Sequence, residues 1–596
     1  MKIGTSVLSA LLVMFVAGAM VCPVTSNAST TVVDEPTQVV HKFGGSSFDG
    51  SLSRSTMIDI NGVMYGTTTN GGTDGVGSIF RISPLGNYQV IYSFPALPQG
   101  TGGELGPSPT NGSSPCGPLA AVGNVIYGTT QLGGFQNRGV LYSFDISTKT
   151  FTLLHQFREH HADTATGAVT DGTYVVGTVE VGGEGTSSGV YYYNIATGTT
   201  KVKNFEDAFG KAMTFAPPVK WGNAFVGTTT TGGVNNGGTI YSFVPNTEEG
   251  TLTILHEFSG IGADANPLTV SVINDVLYGV TGSLMGNSGE LFSVTMDTSS
   301  ALPNFSILHL FGIDPDASVP MSAPVVVNTP AGQKLIGLLS SGGAFGFGAV
   351  YTASLDGSNY SILHNFNGTD SGTSTNGLVR GEDGNLYGIG NPNTVLNTVP
   401  ASIFRIGPQI ASVNPMHVNL YNGGTDLTAQ LVGSGFGTNA VAMMDGQSVS
   451  SSVVGPGLVT VMVPSAKITT GAHVFTLVDP NIGNTSNTVV MLANQVRIAA
   501  TFGATSNTGQ FTQQISLTNA GFGTAYNVHL VSAQLIYSNG TIVNLAVPST
   551  TANLTGSISQ VYTVSGAVVP SGSTPVLVVK WAYSGGAGSA ATRLAF

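Results

Sequence analysis

Five histidines are the first residues in this chain whose type and recurrence suggest chemistry. His41, His155, His256, His309 and His364 each end a short apolar run and stand two residues before a phenylalanine. An imidazole can act as a general base or bind a metal. Tyr92 and Lys203 fill the same position in two further copies of the motif. A side chain repeated at one position, and replaceable by Tyr or Lys, fits a structural hydrogen-bonder better than a catalyst. The densest metal-capable cluster is His160-His161, flanked by Glu159 and Asp163. Adjacent strand residues point to opposite faces, so the two histidines could share one ion only from a loop. Asp314-x-Asp316 lacks the rest of a calcium loop.

Other catalytic signatures are missing. No Gly-x-Ser-x-Gly elbow leads from a strand into a helix, and no His-Glu-x-x-His occurs. The recurrent glycines have neither the following helix nor the nearby cation of a phosphate cradle; they read as backbone positions needing positive φ or close strand approach. Sialidase-type Asp boxes are absent. The repeat region holds six arginines, Arg54, Arg81, Arg138, Arg158, Arg380 and Arg405. The sequence therefore nominates no catalytic, cofactor-binding or metal-ligating residue and no cofactor, which leaves binding.

The composition narrows the class. Of 596 residues, 48 are charged, 18 basic and 30 acidic, for a net charge of -12. Glycine supplies 82 residues and hydrophobics 41%. Charge-rich disorder does not fit so much apolar content, and the net acidity argues against nucleic acid as a partner. The glycines have no three-residue period, which excludes collagen. The chain opens with Lys2, an apolar run from about Val7 to Val21, then Pro23 and the small residues Ser26-Asn27-Ala28. This pattern predicts a signal peptide over 1–28, with an alternative cut after Ala19 and an uncleaved anchor as the competing expectation. Val21 before Cys22 argues against lipidation. Cys116 would then be the single mature cysteine, with no intrachain disulfide. No later run reaches 18 apolar residues, so no transmembrane segment is expected after the signal peptide.

Internal repeats set the architecture. An apolar residue followed by glycine, usually Tyr-Gly, occurs at Gly66, Gly128, Gly177, Gly227, Gly279, Gly337 and Gly388, at spacings of 62, 49, 50, 52, 58 and 51. A Gly-Gly pair follows in five copies: Gly71-Gly72, Gly133-Gly134, Gly182-Gly183, Gly232-Gly233 and Gly342-Gly343. A strand aromatic comes next, expected at Phe80, Tyr142, Tyr192, Tyr241, Phe292, Tyr351 and Phe404. Each copy reads as four short strands. In the fifth these fall at 268–273, 276–280, 290–294 and 305–311, with an Asn274-Asp275 turn. The array starts on a fourth-strand motif, Val39 to Phe43, and ends on a third-strand motif, Ser402 to Ile406. That offset predicts an all-β, seven-bladed β-propeller over 36–407, closed by the N-terminal strand 38–43. A β-solenoid is the alternative.

These Tyr-Gly-Thr-Thr, Gly-Gly and Leu-His-x-Phe elements resemble the gloeo/verruco (GloVer) repeat of exported bacterial proteins. The stretch Val226 to Gly233, with Ile254 to Phe258, is a close example. The pattern departs at Met285-Gly286 and at Gly390-Asn391-Pro392, where the glycine pair is replaced. The resemblance implies a propeller on a secreted or surface protein and brings no catalytic residues.

From Pro408 the charge thins to three acids and four bases. Ile410 to Pro415, Gly433 to Gly437, Val461 to Pro464 and Gly471 to Phe475 resemble an IPT/TIG immunoglobulin-like β-sandwich, expected over 408–494. Residues 495–596 are expected to form a second sandwich. Ile515 to Gly521 and Ala525 to Leu530 resemble CARDB-like surface domains, and Val576 to Trp581 reads as a buried strand.

The expected function is an exported surface or extracellular binding or adhesion protein with a glycan or cell-surface protein as partner. The loops after the second and fourth strands should share one face, which includes the Gly-Gly loops and the long segment 95–118. That face is rich in Asn, Thr, Ser and Gly, groups that suit hydroxyl-rich ligands or plain solvation. The alternatives are a propeller enzyme acting on polysaccharide, which would need paired carboxylates at the centre, and a passive matrix component.

Overall fold

A computed structural model describes residues 35–46, 48–84, 86–96, 111–158, 163–182, 187–210, 212–260, 265–282, 289–295, 303–312, 318–370, 376–391, 401–419, 426–469, 471–494, 498–519, 525–554, 559–583, 586–594 and 596. The expected signal peptide, His160-His161, Met285-Gly286 and Asp314-x-Asp316 lie outside the described residues. The fold is all-β; its single α-helix is the four-residue turn Glu206–Phe209 among the described residues. No helix there is long and apolar enough to cross a membrane.

Residues 37–406 form seven antiparallel sheets of four or five strands, one per repeat, and a two-stranded sheet that pairs Gly50–Leu52 with Asn70–Gly71. The fifth comprises Pro267–Ile273, Val276–Thr281, Glu290–Thr295 and Asn304–Leu310, within about a residue of expectation. Asn274 and Asp275 both have positive φ, 50° and 61°, as a two-residue hairpin turn needs.

The repeated glycine has one physical cause. A Cβ placed on Gly66, Gly128, Gly227, Gly279, Gly337 or Gly388 would lie within 2.3–2.5 Å of the side chain of Phe80, Tyr142, Tyr241, Phe292, Tyr351 or Phe404. Each of these rings belongs to the residue paired with that glycine on the third strand. Close ring packing requires glycine here, whereas positive φ is what the Gly-Gly pairs need: Gly232 and Gly233 lie at 92° and 75°. In the third sheet the paired ring is Tyr191, not Tyr192 as the sequence suggested. Three consecutive tyrosines left the phase ambiguous, and the pairing with Gly177 resolves it.

The histidine position turns out to join neighbouring sheets. His256 stacks on Phe305 of the next sheet at 4.1 Å, His309 on Tyr360 at 3.6 Å and His41 on Tyr88 at 3.7 Å. Tyr92, in the same position, stacks on Phe151 at 4.7 Å. Lys203 reaches Glu249 at 3.2 Å, and His364 hydrogen-bonds Thr37 at 3.2 Å. A bulge precedes this residue in six of the seven sheets and is missing where Lys203 replaces it.

The strand Thr37–Lys42 pairs with Ser402–Ile406 as fourth strand of the seventh sheet, with Ile403 opposite His41. His41 then touches Tyr88 of the first sheet. Asn376 Nδ2 donates to Ser53 O, and Ser53 N donates to Asn391 Oδ1. Contacts between successive sheets thus return to the first one.

Beyond the array, two sheets share one apolar core that includes Ile410, Leu431, Val461, Phe475 and Met491. Two more share a core around Ile515, Leu535, Tyr562 and Trp581. The first pair is docked on the array: Ile482 is buried beside Val327 and Phe404, and Asn484 Nδ2 donates to Asn385 Oδ1.

Candidate functional site

The first strands of the seven sheets position the site. A cavity of about 600 Å³ is lined at or beside these strands by Thr56, Leu119, Ala168, Val219, Val270, Pro324 and Leu378, one from each sheet. Most of its lining is apolar, with Thr166, Thr269, Ser271, Ser322 and Asn376 as polar members beside Thr56. Polar groups enter at one end through Gln131, Glu180 and Thr230. Each is the third residue after a repeat glycine (Gly128, Gly177 and Gly227) and precedes a Gly-Gly pair, so this mouth lies at the Gly-Gly end. In the other copies this position holds Thr69, Gly282, Ser340 and Asn391.

Charge is sparse in the cavity. Glu180 is the lining carboxylate and Arg54 the lining guanidinium among the described residues. Burial raises the Glu180 carboxyl above its ordinary range, and Arg54 pulls it partly back. Cys116 also lines the space, but burial pushes its thiol up to about 12. Its Sγ–H donates to Ala165 O at 3.1 Å. A thiol that stays protonated is a poor nucleophile. Hydrolysis by paired carboxylates needs two such groups flanking the scissile bond, and the described lining supplies one. Among the described residues no three His, Cys, Asp or Glu side chains gather as a metal site.

The loop ends behave as expected. The Gly-Gly loop of the first sheet meets the return of segment 95–118: Ser114 N donates to Val76 O and Thr69 Oγ1 to Pro115 O. Residues 97–110 lie outside the described residues. What the sequence did not announce is a set of exposed apolar side chains on the Gly-Gly loops. Phe135, Val234 and Phe345 follow Gly-Gly pairs and are exposed, Val234 by 85%. Phe48 is exposed next to Asp49, whose backbone packs against Gly71. Phe215 is 58% exposed and also lines the cavity. The available signal was an apolar residue one to two positions after a glycine pair, in loops otherwise built of Ser, Thr and Asn.

The five histidines do not converge on this site. Four of them, His41, His256, His309 and His364, reach a neighbouring sheet. His155 lies edge-on to Phe157 of its own repeat at 5.1 Å, and its pKa is lowered to about 4, by burial first and by Arg158 second.

The family model of the Gloeobacter/Verrucomicrobia repeat matches residues 28–192, 105–283 and 215–454, an unbroken run over more than half of the chain. The chain belongs to this repeat family. No curated protein matches it. Among solved structures, TolB from Acinetobacter baumannii is similar at 16% identity, over 50% of this chain and 63% of that one, with a TM-score of 0.29. A prolyl endopeptidase is similar at 11% identity, over 82% of this chain and 56% of that one, with a TM-score of 0.34. The extracellular region of plexin A4, domains 1 to 8, is similar at 9%, over 91% and 75%, with a TM-score of 0.37. The chain thus spans less than two thirds of the TolB and prolyl endopeptidase chains.

Proposed function

We propose that this repeat protein is an exported surface or extracellular binding protein whose ligand sits at the Gly-Gly end of a seven-bladed β-propeller. The propeller spans 36–407 and is closed by strand 38–43. A signal peptide over 1–28 directs export. Residues 408–494 form an IPT/TIG-like, immunoglobulin-like sandwich and 495–596 a second, CARDB-like one, both supporting the binding face. The observation that carries this is the cavity lined from all seven sheets, mostly apolar, with Gln131, Glu180 and Thr230 from one repeat position and the exposed Phe215 in its lining. A concave apolar pocket with a few convergent polar groups is the usual form of a ligand site, and exposed apolar clusters mark interaction surfaces.

The ligand class this favours is a glycan. A sugar offers hydroxyls to Gln131, Glu180 and Thr230 and an apolar ring face to Phe215. One carboxylate in the lining does not favour hydrolysis of polysaccharide, and a passive matrix role leaves the cavity without a use. The test is a glycan-array screen of the purified protein, with turnover followed on the same panel. Discrete glycan hits without turnover support the proposal. Cleavage would favour the enzyme, and self-association without hits the matrix component.

A further inference from the structure

The two charges of the cavity, Arg54 and Glu180, are brought to its lining by three successive sheets. Arg54 precedes the first strand of the first sheet, and its O accepts from Gly117 N of the second sheet at 3.1 Å. The adjacent Cys116 donates to Ala165 O of the third sheet, and Ala165 pairs with Val179, next to Glu180. Both charges act on the Cys116 thiol, in opposite directions. Arg54 is exposed and Glu180 half-buried. Neither group is spent on the fold. Burial and the Arg54 charge act on the Glu180 carboxyl, and no hydrogen bond does. Among the described residues none takes up the Arg54 guanidinium. The two attract each other without forming an ion pair.

We propose that this balanced pair makes the cavity selective for uncharged, hydroxyl-rich sugars, with Arg54 donating to and Glu180 accepting from hydroxyls of one ligand, and that it rejects uronate, sulfated and free-amine sugars. The selection rests on the glycan-binding role proposed above and names the kind of glycan.

The reason lies in what each group can exchange. A guanidinium offers donors and no acceptor, and an ionised carboxylate offers acceptors and no donor. A hydroxyl answers both, because it donates and accepts. Such bonds to charged groups are the stronger kind. A ligand carboxylate or sulfate would gain Arg54 but face Glu180. A ligand ammonium would gain Glu180 but face Arg54. Like charges repel more strongly beside a mostly apolar lining than in water. Among the described residues the rest of the lining adds hydroxyls and amides but no third charge.

The experiment probes a glycan array with the full chain at about pH 7, using neutral, uronate-bearing and free-amine glycans of matched length. Wild type, Glu180→Gln and Arg54→Gln are compared. Wild type should hold neutral glycans and ignore both charged classes. Each variant should bind the neutral glycan roughly tenfold more weakly, as expected for one hydrogen bond to a charged group. Each should also gain one charged class. Glu180→Gln leaves Arg54 unopposed and should bind uronate-bearing glycans roughly tenfold better than wild type, and Arg54→Gln should do the same for free-amine glycans. A purely structural role for either side chain would weaken all classes alike. A wild type that prefers a uronate, a free amine or a sugar carrying both charges overturns the selection. Variants whose class preference matches wild type overturn it too, while their glycan hits keep the binding role. No hit in any class overturns the binding role and the selection with it.

Discussion

Replacing His41 with alanine should loosen the point where the array returns to its start. The imidazole stacks on Tyr88 at 3.7 Å with ring planes 6° apart, and it meets Phe43 edge-on at 5.3 Å. Its Nε2 also lies 3.1 Å from Asp49 Oδ2. An aromatic pair contributes about 0.5–1.5 kcal/mol beyond burial. A hydrogen bond to a charged group contributes about 1.5–3 kcal/mol. Asp49 keeps the N–H groups of Gly45 and Gly50, so the lower half of that second range applies. The expected cost is therefore about 2–4 kcal/mol, a midpoint drop on the order of 5 °C by scanning calorimetry. A double-mutant cycle with Tyr88→Leu should return a coupling of about 0.5–1.5 kcal/mol. A cost for His41→Ala within the ~0.5 kcal/mol of an ordinary surface change, or a coupling below ~0.3 kcal/mol, would refute the joint.

Four further outcomes follow from the same structure. Tyr241 is fully buried with its hydroxyl unpartnered, while Tyr191 donates its hydroxyl to Gly167 O at 2.6 Å. Tyr241→Phe should therefore leave the thermal midpoint unchanged or raise it, and Tyr191→Phe should cost about 1 kcal/mol. Gly279→Ala would drive a Cβ to 2.3 Å from Phe292 and should cost about 1–3 kcal/mol in a denaturant titration. Cys116, its thiol pushed up to about 12, should resist alkylation at neutral pH in the folded protein and react once it is unfolded, read by mass spectrometry. His155, lowered to about 4, stays neutral in the fold while its unfolded form takes a proton below about 6.5; its contribution is present above that pH and lost as pH falls toward 4, a slope that His155→Gln should flatten.

The repeat was legible because its causes are local. A glycine under a ring and a glycine pair with positive φ leave a mark in every copy, as Gly227, Gly232 and Gly233 do. The N-terminal strand could be placed because His41 and Phe43 carry the fourth-strand motif. The role of the histidines was only half legible. Their recurrence announced structure, but a stack such as His309 on Tyr360 joins residues 51 apart in different repeats, which no motif reports. The polar mouth was hidden for a different reason: Gln131, Glu180 and Thr230 share a repeat position but not a residue type. Exposure of Phe135 and Phe345 could not be read, since an apolar loop residue in sequence looks the same buried or free.

The central claim is that the cavity at the Gly-Gly end holds the ligand. It is tested most directly by calorimetric titration of the strongest array glycan into wild type, Phe215→Ala and Val454→Ala. Phe215 lines the cavity, and Val454 is equally exposed on the C-terminal sheets. Loss of the aromatic face should weaken binding roughly tenfold, as expected for a contact of about 1.4 kcal/mol, while Val454→Ala binds like wild type. Equal affinity for Phe215→Ala and wild type, or a loss confined to Val454→Ala, would contradict it.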